Sequence, residues 1–121
     1  MNLPREALKY ARTAIQLNPH APEFYLIVMA DAYMLLRRYD EALPLLETIL
    51  ARRPGWIMAR ALLAICHEAT GQHEEARKIA MEISEMSPRF SVTRWRRCLH
   101  NPDRPDIDDS ARMLELAGLP K

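Results

Sequence analysis

One interval constrains this chain more than any other property. Ala42 and Ala76 are 34 residues apart, and so are Ile49 and Ile83, and Pro54 and Pro88. The stretch YDEALPLLETILARRP over residues 39–54 returns as HEEARKIAMEISEMSP over residues 73–88. In both copies the apolar residues recur every three or four positions until a proline stops the run, which is the period and the close of an amphipathic helix. Self-similarity at a fixed interval of this size marks an array of supersecondary units, none of which can bury its apolar face alone.

Composition agrees with the period. The 121 residues include only three glycines, β-branched residues are sparse, and Ala, Leu, Met, Glu and Arg dominate, all good helix formers. An all-α chain follows. Breakers at Asn18-Pro19, Pro22, the Arg38-Tyr39-Asp40 corner, Pro54-Gly55, Gly71-Gln72, Pro88, Asn101-Pro102, Pro105, Gly118 and Pro120 divide it. About seven helices are predicted, over 4–17, 23–37, 40–52, 57–70, 73–86, 91–99 and 106–117. Their short connections force neighbours into antiparallel hairpins, and 34 residues is the length of one such unit.

The positions within the unit carry a family resemblance. The tetratricopeptide pattern W-x2-L-G-x2-Y, A-x3-F, P is met over residues 23–56 by Leu26, Met29, Ala30, Tyr33, Ala42, Leu46 and Pro54. Over residues 57–90 the same places hold Arg60, Leu63, Ala64, His67, Ala76, Ala80 and Pro88, with Arg60 and His67 as departures. Small residues stand where two helices must approach closely, and the proline ends the second helix. The chain thus resembles the tetratricopeptide repeat family over nearly its whole length. The resemblance implies helical hairpins stacked as a short right-handed superhelix, and a non-catalytic module that binds proteins or peptides.

The same register organises the ends of a single domain spanning 1–121. Adding 34 places Cys98 at the position of Ala64, Ser110 at that of Ala76 and Leu114 at that of Ala80, so residues 91–121 form a degenerate repeat acting as a cap. Residues 1–22 form a half repeat. The row Ala7, Ala11 and Ala14 matches the second helix of a hairpin whose first helix is missing, which leaves Leu3, Tyr10 and that row as a face for another domain or a second copy. Either a cut from a longer protein or a homodimer accounts for it. The close on Leu116-Ala117-Gly118-Leu119-Pro120, after a Pro-Arg-Phe-Ser junction and an Asn-Pro-Asp-Arg-Pro break, resembles the tail that follows the repeats in bacterial class III adenylate or guanylate cyclases. Nothing in the chain resembles their catalytic domain. Gly118 also reads as a left-handed residue ending a helix.

Several classes of function are disfavoured. Basic and acidic residues number 17 and 16, which gives no general affinity for nucleic acid or acidic membrane. The most apolar run, residues 24–36, is too short to span a bilayer and contains Asp31. Two cysteines without a secretory leader point to a reducing compartment, most simply the cytoplasm. No Ser/His/Asp set or phosphate-cradling glycine pattern is present, and no cofactor is expected. Cys66-His67 and Cys98-x-His100 lack the spacing of a metal site, and the acids at 103, 106, 108 and 109 lack the glycine and glutamate of a calcium loop. In Arg94-Trp95-Arg96-Arg97 the tryptophan shares a helix face with Val92 and Leu99. Packing of Trp95, with the arginines solvated or paired to Asp103–Asp109 acids, is favoured over base stacking.

What the family resemblance implies is a groove lined by the first helix of each hairpin. Its row here is Phe24, Ile27, Asp31 and Met34, then Met58, Ala61, Ile65 and Glu68, extended by Trp95. Each apolar member either lines the groove or is buried within the stack. The polar members are acidic, which selects an apolar or basic segment over an acidic one. The alternative is a self-association domain pairing through the amino-terminal half repeat.

Overall fold

The computed structural model describes residues 9, 13, 23–97 and 106–121. All regular structure among them is helical. Of the expected helix 4–17 only Lys9 and Thr13 are described; both are helical, and the Thr13 hydroxyl donates to the Lys9 carbonyl at 2.9 Å. The chain forms two compact units, Met1–Pro54 and Gly55–Lys121.

In the first unit, α1 (Glu23–Leu35) packs against α2 (Tyr39–Arg52). The residues placed by the 34-residue register are core: Leu26, Met29, Ala30 and Tyr33 from α1, and Ala42, Leu46 and Ile49 from α2, are buried. Ala30 and Ala42 are wholly inaccessible, as close helix approach requires. α2 carries Asp40 and Glu41 in its first turn, where they favour the positive end of the helix dipole. Arg38 donates to both Glu41 carboxylate oxygens, at 2.8 and 2.7 Å, and its guanidinium lies 5.0 Å from the centre of the Tyr33 ring. Pro44 sits within α2 just past the first turn, and the helix continues through it to Arg52 at the loss of one backbone donor.

In the second unit, α3 (Ile57–Ala69) packs on both α4 (His73–Met86) and α6 (Ile107–Leu116), and α6 also meets the short α5 (Val92–Arg97). Covered on two sides, α3 has six consecutive buried residues, Ala61 to Cys66, where a helix with one covered face would show a stripe. α4 shows that stripe in Ala76, Ile79, Ala80 and Ile83. Ser110 and Leu114 of α6 are buried at the register positions of Ala76 and Ala80. The Val92 amide donates to the Pro120 carbonyl at 2.8 Å, which ties the tail to the start of α5.

Three helices end in the same way. At α3, the Gly71 amide donates to the Glu68 carbonyl at 3.3 Å and the Gln72 amide to His67 at 2.8 Å. At α6, Gly118 bonds to Glu115 and Leu119 to Leu114 in the same pattern, and at α1 Arg37 bonds to Met34 and Arg38 to Tyr33. This paired geometry needs a left-handed residue after the helix. Gly71 and Gly118 supply it with φ of 83° and 113°, and Arg37 supplies it with φ of 62° despite its side chain. The helix expected over 23–37 stops at Leu35 for this reason, since arginine carries no sequence signal for a stop.

The two departures from the repeat pattern have physical substitutes. Arg60, at an aromatic place, forms an ion pair with Glu82 and so links α3 to α4 by charge instead of ring packing. His67, at the tyrosine place, has its Nδ1 3.0 Å from Gln72 Oε1 across the Gly71 turn.

Candidate functional site

The expected groove row divides by accessibility. On α1, Ile27 and Asp31 lie one turn apart on the same stripe and are half-buried, whereas Met34 is buried. The side chain of Phe24 lies outside the described residues. On α3, Met58 near the start is half-buried, Ala61 and Ile65 are wholly buried, and Glu68 near the end has a side chain 9% exposed. Its Oε1 is 2.7 Å from Nδ1 of His73. Trp95 is only 4% exposed. Met34, Ala61, Ile65 and Trp95 therefore take the burial alternative and contribute core, not open lining. For Ala61 and Ile65 the cause is the double cover that α4 and α6 give α3. Leu3, Ala7, Tyr10, Ala11 and Ala14, the expected self-association face, lie outside the described residues.

The basic cluster is arranged by packing and pairing. Trp95 is buried and its Nε1 has no hydrogen-bond partner among the described residues. An indole so covered offers no face for stacking on a base. Arg96 Nη2 donates to Asp108 Oδ1 at 2.8 Å and joins α5 to α6. Arg94 and Arg97 are exposed.

Cys66 is a buried thiol, and burial pushes its pKa from the ordinary 9.0 up to about 12. A thiol held protonated in this way is a packing residue, not a nucleophile. Cys98 and His100 lie outside the described residues. Among the described residues no three His, Cys, Asp or Glu side chains are grouped so as to hold a metal ion.

A second surface was not anticipated from the sequence. Within the second unit a shallow cleft of about 410 Å³ is lined by Arg77, Met81, Ser84 and Glu85 of α4 and by the buried Ala80 and Ala117. Met81 is 61% exposed, and Leu116, one residue before Ala117, is 63% exposed. The register held a signal for both: Met81 stands where the preceding repeat has Glu47, and Leu116 where it has Glu82. An apolar residue that replaces a glutamate at an exposed repeat position is conspicuous only when the repeats are laid side by side.

A sequence model of the tetratricopeptide repeat matches residues 2–62 and again residues 37–91. The chain belongs to the tetratricopeptide repeat family. Neither the curated proteins nor the solved structures give a significant match. Tetratricopeptide repeats generally mediate protein–protein interaction and are typically non-catalytic. The two matches stop short of Ala117-Gly118-Leu119-Pro120, a close that has the geometry of a helix stop in this tetratricopeptide chain. Among the described residues no helix is long and apolar enough to cross a membrane.

Proposed function

We propose that this tetratricopeptide protein is a non-catalytic, cytoplasmic interaction module that binds an apolar or basic peptide, or a partner segment of that character, on the first helices of its hairpins. It serves as the regulatory or assembly part of a larger system. The observation that carries this reading is Ile27 with Asp31 on α1, an apolar side chain and a carboxylate one turn apart, both still accessible. On α3, Met58 near the start is half-buried, whereas Glu68 near the end keeps its side chain 9% exposed against His73, so Asp31 is the acid that carries the preference. An apolar residue beside an acid suits a ligand with an aliphatic or aromatic anchor next to a lysine or arginine. A hydrogen bond to a charged group contributes roughly 1.5–3 kcal/mol, and 1.4 kcal/mol is tenfold in affinity.

The test is a peptide-library selection followed by titration of the recovered ligands against Asp31→Lys. Basic or apolar sequences should be selected, and the Asp31 reversal should weaken basic ligands about tenfold while helical content is kept. Recovery of acidic sequences by the unmodified protein would sink the proposal.

A further inference from the structure

The cleft beside α4 shares no lining residue with the first-helix rows, and its charges are arranged in a self-complementary way. Arg77, Met81 and Glu85 are spaced by four residues along α4 and all three are exposed. They form one stripe, with Met81 in the middle and the two charges about 6 Å to either side along the helix axis. Neither Arg77 nor Glu85 is paired with any described residue, whereas the neighbouring Lys78 is held by Glu75 at 3.5 Å and Glu82 by Arg60.

We propose that this stripe is a two-fold interface at which α4 meets α4 of a second copy of the chain, running antiparallel and centred on Met81. A two-fold axis through that residue sets position 81 + k opposite position 81 − k of the copy. Arg77 then faces the copy's Glu85, and Glu85 faces its Arg77, so one stripe satisfies both charges twice. Lys78 faces the copy's serine at 84, which brings no like charges together. A run of like charge, or Arg77 and Glu85 at unequal distances from Met81, would not close on itself in this way. The exposed Met81 supplies the apolar centre and is adaptable enough to seat against the shallow floor of Ala80 and Ala117. The charge pairs fix orientation more than they add affinity, since exposed ion pairs are individually weak.

The arrangement predicts a pattern of variants that no other face would produce. The full chain should show a mass that rises with concentration toward that of a dimer in sedimentation equilibrium. Arg77→Glu opposes two carboxylates twice, and Glu85→Arg opposes two guanidinium groups twice, so each variant alone should dissociate at least tenfold more readily with unchanged helical circular dichroism. Mixed in equal amounts, the two variants become complementary to each other and should form a heterodimer as tight as the original. The double exchange Arg77→Glu with Glu85→Arg should pair with itself. The proposal is overturned by an unmodified chain that stays monomeric up to millimolar concentration. It is equally overturned by a dimer indifferent to both reversals, which would place pairing on another face such as the amino-terminal half repeat, or by two dissociated variants that do not recombine on mixing.

Discussion

Replacing Gly71 with alanine isolates a conformational effect from all packing, and Arg37 offers the converse experiment. The two residues are 34 apart, occupy the same place after the first helix of their repeats, and accept the same pair of hydrogen-bonded turns. A Cβ added at Gly71 meets nothing within 4 Å, so no steric clash enters. What remains is the left-handed backbone at φ 83°, which costs an L-residue about 1–2 kcal/mol. Against this, removing a glycine restricts the unfolded chain and returns about 0.4–1 kcal/mol. Gly71→Ala should therefore destabilise by roughly 1 kcal/mol. Arg37→Gly reverses both terms but loses the side-chain contacts of Arg37, among them the exposed hydrogen bond from its Nη1 to the Tyr39 hydroxyl at 3.1 Å. It should stabilise by about half as much. Urea denaturation followed by circular dichroism reads these differences as shifts of the midpoint at unchanged slope. Gly71→Asn should fall between, because asparagine tolerates the left-handed region. A neutral Gly71→Ala together with a destabilising Arg37→Gly would refute the reasoning. It would show that the turn is set by side-chain contacts and not by the sign of φ.

Four further outcomes are expected. Leucine at Ala42 or Ala76, both wholly buried, should cost about 1–3 kcal/mol by overpacking, read as a fall of several degrees in thermal midpoint; an unchanged midpoint would contradict the repeat register. In a Cys98→Ser background, Cys66 should resist thiol reagents at pH 8 until the protein is unfolded, and fast labelling of the native chain would contradict its burial. Because the unfolded thiol ionises from about 9 upward while the folded one stays protonated to about 12, the folded state holds the extra proton in that window; the Cys66 contribution to stability should fall as pH rises through it, a loss that Cys66→Ala should remove. Trp95→Phe should cost about 1 kcal/mol or less, since the indole N–H has no described partner to lose, whereas Trp95→Ala should cost about 3–5 kcal/mol; equal losses in denaturation would point to a bond made by Nε1.

Much of the fold was legible because close packing leaves a mark on composition. Ala30, Ala42, Ala64 and Ala76 recur at one interval because two backbones approach there, and all four are wholly buried. Effects that join distant helices left no such mark. Arg60 looked like a defect in the pattern until Glu82, 22 residues away, was seen beside it. Ala61 and Ile65 fit a groove by helical periodicity, but that periodicity describes one helix and is silent on how many others cover it. α6 supplies the second cover from far along the chain. Arg37 hid a helix stop because its backbone conformation, not its residue type, performs the task. Met81 and Leu116 passed as surface residues within helices whose amphipathic pattern is otherwise regular.

The double cover of α3 has a consequence for synthesis. α1 and α2 are neighbours in sequence and can pair as soon as both have left the ribosome, but Ile107 of α6 follows Ala69 of α3 by 38 positions. At about 5–20 residues per second, α3 waits roughly 2–8 s after its own completion for that second cover. During the wait one flank of the unbroken run from Ala61 to Cys66 faces water, at the concentration of neighbouring polysomes. The second unit should be the one that nascent-chain chaperones hold and that aggregates when α6 is truncated.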